Sequence, residues 1–204
     1  MYIDDLAISL FTISIAGVML LYMTGGVFLD YRRKGVKNVY DHISPGVIPF
    51  MVLGSFILVM ALYGEFTWPL PGSYNILYYD TYAMLGLAML AFSISALKRM
   101  KLNYVGMFSM LSGFIAIYYG IQAYSIKLST EPIVLLGLLA SFGVVGVFAY
   151  PVTLLLDTLP GEKSKHQSFW YLMLACFWIF LVIGIVLAAL LAAVALHGHL
   201  ISPP

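Results

Sequence analysis

The sequence predicts an all-α protein: a polytopic membrane bundle of six transmembrane helices with both termini outside. Three observations predict it. Of 204 residues, 62% are hydrophobic and only 9% are charged, where a soluble domain carries about 25% charged residues. Mean hydropathy is +0.98. Apolar runs of membrane-crossing length, roughly 20 residues, recur along the whole chain with short connections between them. The same composition excludes an ordinary soluble enzyme and a disordered tail. A net charge of +1 leaves no basic field for nucleic-acid phosphates. The one cysteine, Cys176, excludes an internal disulfide framework and a cysteine-based metal cluster.

The first helix covers residues 6–29. Its leader is acidic, with Asp4 and Asp5, where a signal peptide has a positive start, so this helix is expected to stay in the mature protein. The second, 47–63, is short; Ser44, Pro45 and Gly46 read as its cap and first turn. The third covers 76–97. Pro69, Pro71 and Gly72 stiffen the turn before it, and Ser73 or Asn75 is expected to cap it by accepting from an early backbone N–H.

The fourth helix, 104–124, has the clearest pattern. Gly106, Ser109, Gly113, Ala116, Gly120 and Ala123 form one stripe of small residues at alternating steps of three and four. Lipid supplies little hydrophobic drive between helices, so such a stripe serves close backbone approach. It reads first as packing inside the bundle and second as a subunit interface. The fifth helix, 133–156, gathers Gly143, Gly146 and Pro151. A kink is expected near Phe148–Pro151, because proline removes one backbone bond and crowds the preceding turn. The sixth, 169–196, repeats the small-residue theme at Gly184, Ala188, Ala192 and Ala195. No connection is long enough for a soluble domain, so residues 1–204 read as a single transmembrane domain.

Orientation follows from Lys and Arg. Arg32, Arg33, Lys34, Lys37, Lys98, Arg99, Lys101, Lys163 and Lys165 stand in the connections after the first, third and fifth helices, and only Lys127 is on the other side. The first set marks the cytoplasmic side.

No ionisable residue sits near a midplane, where each is costly and usually functional. That argues against a proton pump, a sodium-coupled carrier and an intramembrane protease. The stretch from Glu65 to Asp80 is the most unusual. Tyr63, Trp68, Tyr74, Tyr78, Tyr79, Tyr82, Tyr118, Tyr119 and Tyr124 all lie near the outer face. They read first as an interfacial aromatic belt. The sharper reading is an outer pocket built from Glu65, Trp68, Asn75, Tyr79, Asp80, Tyr118 and Gln122, suited to a quinone head group, a lipid or a small cation. His197 and His199 are weak metal candidates; residues two apart face different sides of a helix, and exposed histidines in a terminal turn are the preferred reading. No cofactor is named by any of these residues.

The run Pro69-Leu70-Pro71-Gly72-Ser73-Tyr74-Asn75-Ile76-Leu77-Tyr78-Tyr79-Asp80, followed by Gly86, resembles the signature region of a family of uncharacterised archaeal and bacterial membrane proteins, domain of unknown function 981. The resemblance implies a several-span helical protein in a prokaryotic cell membrane. It implies no activity, so no catalytic role passes to Asn75 or Asp80.

Three functions are compatible with these residues. The leading one is an accessory or structural subunit of a larger membrane complex, such as a respiratory one, with the lipid bilayer and other membrane subunits or self as partners. The second is a small-solute or ion transporter or channel. The third is a quinone- or lipid-binding membrane protein. The chain is not expected to be an enzyme by itself.

Overall fold

The computed structural model describes residues 5–34, 38–159 and 167–201. Six helices follow one another: α1 (Asp5–Lys34), α2 (Val39–Thr67), α3 (Ser73–Leu97), α4 (Asn103–Ser125), α5 (Pro132–Thr158) and α6 (Gln167–Ile201). All six are long and apolar enough to cross a membrane. Among the described residues there is no strand. Asp4, Lys37, Lys163, Lys165 and His166 lie outside the described residues, as do the side chains of Asp5, Arg32, Arg33 and Lys34.

Each helix runs past its apolar window, because backbone hydrogen bonding continues after the side chains turn polar. The largest extension is a correction. Ser44, Pro45 and Gly46 do not start α2; they lie inside it, together with Pro49. The helix begins after Asn38, whose side-chain oxygen accepts from the Tyr40 N–H at 3.1 Å. Pro45 cannot donate to the Asp41 carbonyl, and the Ser44 hydroxyl reaches that oxygen instead at 3.4 Å. Repair of this kind is how membrane helices tolerate proline. Helix α5 likewise stays helical through Pro151.

The expected cap of α3 is also corrected. Gly72 stands at its N-cap with φ +55, and no side chain caps the helix. Asn75 turns away from the helix end and holds the preceding loop. Its oxygen accepts from Leu70 N–H at 3.2 Å, and its amide donates to the Gly64 carbonyl at 3.1 Å.

The helices stand in chain order around a ring, each against the next, with α6 returning to α1. Glycines set the closest approaches. An added Cβ on Gly17 would lie 2.5 Å from Ile185, tying α1 to α6; on Gly86, 2.8 Å from the Leu58 nitrogen, tying α2 to α3. The stripe of α4 meets α5: a Cβ on Gly113 would lie 2.4 Å from the Gly143 oxygen, and one on Gly146 2.7 Å from the Ser109 oxygen. Gly106 faces Thr153 and Tyr150, and Gly120 faces Leu136 and Leu139. The α3–α4 pairing is the sparsest of the six.

Candidate functional site

The ring leaves a space at its centre. Along α1, Ser9, Ile13, Ala16, Leu20 and Thr24 recur at steps of three and four, so they form one stripe of the helix. That stripe lines a cavity of about 210 Å³ to which all six helices contribute. Helix α5 supplies Phe142, Val145, Ala149 and Val152; α6 supplies Phe177 and Leu181; α2 supplies only Phe50.

The wall is apolar. Among the described residues no charged side chain lines it. Four of its hydroxyls are spent on their own helices: Thr24 on Leu20 O at 2.8 Å, Thr81 on Leu77 O at 2.8 Å, Ser109 on Val105 O at 2.9 Å, Thr153 on Tyr150 O at 2.8 Å. Back-bonding of this kind leaves the methyl and methylene surface facing inward. Thr24 also accepts from the Trp178 indole at 3.0 Å, closing α6 on α1. Thr12 and Tyr82 share a hydrogen bond that joins α1 to α3. A space with such walls repels water and accepts hydrocarbon; an engineered apolar cavity of about 150 Å³ stays dry and takes up benzene.

Polar groups gather at the two ends of the α3–α4 seam. At the end bearing the α2–α3 connection, the Tyr119 hydroxyl donates to Asp80 Oδ2 at 2.6 Å. The Glu65 carboxyl lies against that of Asp80. Nearly two turns further out on α3, Tyr74 donates to the Leu128 carbonyl at 2.6 Å. At the other end, both oxygens of Asp157 accept from Leu102 N–H at 3.0 Å, and one from Asn103 N–H at 3.1 Å, capping α4 from α5. Tyr40 donates to the Met100 carbonyl, and Arg99 pairs with Asp41 at 3.4 Å.

The seven residues of the outer-pocket reading are therefore distributed. Glu65 and Asp80 come together, with Tyr119 as the third member. Asn75 is buried in the loop clasp described above. Tyr79 is buried, with its ring against Gly64. Trp68 ends α2 in the left-handed conformation, φ 50, and it is exposed, as are Tyr118 and Gln122. His197 is exposed and His199 half-buried in the last turns of α6. Among the described residues, no three His, Cys, Asp or Glu gather as metal ligands would.

Sequence reading missed the central cavity. A signal was present: the polar Ser9 and Thr24 share one stripe with Ala16 in a mostly apolar helix. Such a stripe marks an inward face, but it does not say whether that face is filled by side chains or by space.

A family model described as "Protein of unknown function (DUF981)" matches residues 1–202. No curated protein and no solved structure matches the chain.

Proposed function

We propose that this integral membrane protein, which belongs to the DUF981 family of proteins of unknown function, holds one apolar, lipid-like molecule inside its ring of helices. The observation that carries the reading is the cavity of about 210 Å³ with an apolar wall. An empty space of that kind deprives its lining of contact partners, and a hydrocarbon group restores them without stranding a polar atom. A quinone tail and a lipid chain share this chemistry.

The alternatives have less to rest on. The α4 stripe that motivated a subunit interface is turned to α5 of the same chain. Asp80, part of the polar outer mouth that with the fifth-helix proline supported a transporter reading, is engaged by Tyr119 and Glu65. A place in a larger membrane complex stays compatible with the many exposed apolar side chains, which lipid also satisfies. The Lys and Arg bias supports a cytoplasmic position for the connections after α1, α3 and α5, and the family resemblance supports a prokaryotic cell membrane. Both termini and the Asp80 clasp are then outside.

The test is organic extraction of protein purified from its own membranes in a mild, non-lipid detergent. About one mole of a single apolar species per mole of chain supports the reading. A featureless mixture matching bulk lipid, or nothing retained, contradicts it.

A further inference from the structure

We propose that the bound molecule is an elongated acyl or prenyl chain that enters and leaves sideways from the bilayer, through the seam between α3 and α4. This rests on the lipid-binding reading above and adds the shape of the ligand and its route.

The shape comes from the lining. On α1 the wall extends from Leu6 to Thr24, about 27 Å at 1.5 Å per residue. A compact cavity of about 210 Å³ would touch roughly two turns of a helix; this one touches about five. It is a slot running along the bundle axis, and a flexible chain fits a slot where a fused ring system does not. Packed side chains line both ends, Leu10, Tyr78 and Leu138 toward Leu6 and Leu156 and Phe177 at the other, so an axial route runs past the two packed clusters.

The route comes from how α3 and α4 are joined. No glycine brings these two helices into close approach among the described residues, unlike α1 with α6, α2 with α3 and α4 with α5. They are held at their ends instead. One end has the Asp80–Tyr119 bond and the shared cluster of Leu77 and Ala123. At the other the chain itself joins them through the short connection 98–102, and Asp157 of α5 fixes the start of α4. That register sets Ala88 opposite Ser112, about 12 Å inward of Asp80. There the wall consists of Met84, Ala88, Ser112 and Ala116, all half-buried and all lining the cavity. Flanking them, Leu87, Leu111 and Ile115 are exposed apolar side chains. The slot is thus separated from the lipid-facing surface by half-buried side chains, three of them short and the fourth the flexible Met84. A chain crossing here passes from hydrocarbon to hydrocarbon, with Ser112 the one polar side chain among these four.

The experiment uses the full chain in nanodiscs of defined lipid, with Cys176→Ala, Ala88→Cys and Ser112→Cys. A bis-methanethiosulfonate reagent links the two new thiols across the seam, and a reductant removes the link. The probes are a tritiated long-chain fatty alcohol and a tritiated prenyl alcohol, each loaded before linking. Retained label is then followed as unlabelled vesicles are added. The proposal expects release at least tenfold slower with the link in place and restored on reduction. The probe that saturates at one per chain identifies the chain type. Release unchanged in demonstrably linked protein overturns the lateral route while leaving the cavity reading intact. Absence of saturable binding by either probe in the unlinked protein overturns the reading beneath it as well.

Discussion

Asn75 shows how much one buried side chain can fix. It is fully buried, and it satisfies the Leu70 N–H and the Gly64 carbonyl at once. Asn75→Ala leaves the Leu70 N–H without its partner, at a cost of about 1–3 kcal/mol, while the Gly64 carbonyl keeps the Trp68 N–H at 2.9 Å. A loss of about 1–3 kcal/mol is expected in unfolding from mixed micelles; a loss below about 0.5 kcal/mol would mean the loop relaxes freely. Asp157 makes a second such prediction. It takes three backbone donor contacts from Leu102 and Asn103, the work of an N-cap, which is typically worth about 1 kcal/mol. Asp157→Ala should cost about that much, and it should raise hydrogen exchange selectively at the start of α4. Exchange unchanged there would remove the cap from the account. Neither role was legible in the sequence. Asn75 sits where a helix cap is expected, but Gly72 at φ +55 turns the chain so that its side chain points back to the loop. Asp157 acts on a helix that starts more than fifty residues earlier in the chain, and no local pattern records that.

At the scale of elements, close approach and helix endings can be separated by substitution. Gly113→Ala puts a Cβ 2.4 Å from a backbone oxygen of α5, which no rotamer change relieves; Gly137→Ala meets only the tip of Leu187 at 3.6 Å. The first should destabilise by about 1–3 kcal/mol, as overpacking does, and the second should be near neutral in the same micelle unfolding experiment. Equal effects would deny the α4–α5 contact its importance. Helices α3 and α4 both end with a residue in the left-handed conformation, Arg99 and Lys127. The following N–H groups, of Met100 and Leu128, bond back to Ser95 and Ala123, which is the Schellman arrangement that favours glycine. Lys127→Gly should therefore stabilise by about 0.5–1 kcal/mol; a destabilised variant would show that the lysine side chain matters there. The positions of six helices were legible because runs of 20 apolar residues have few other uses. The start of α2 was not, because Pro45 ordinarily marks a first turn, and the Asn38 cap that overrides it lies outside the apolar window.

At the scale of the molecule, three close helix pairs are joined into a ring, and the ring's centre is left open. The stripe on α4 announced a partner helix, but the sequence does not say which one; only the assembled ring shows α5 in that place and α3 standing off. The cavity follows from that spacing and could not be read from any single helix. The Glu65–Asp80 stretch stood out in the sequence for its polar and aromatic residues, and in the structure it closes one end of the seam. Filling the slot is the corresponding substitution. Ala149 lines it from α5 and is half-buried, so Ala149→Phe places a ring where the ligand chain would lie. The most direct measurement is native mass spectrometry of the wild-type chain and Ala149→Phe, each released from its own membrane under identical mild conditions. The account predicts one retained apolar molecule on the wild type and none on a folded variant. A bare wild type, or equal occupancy of both, would contradict it.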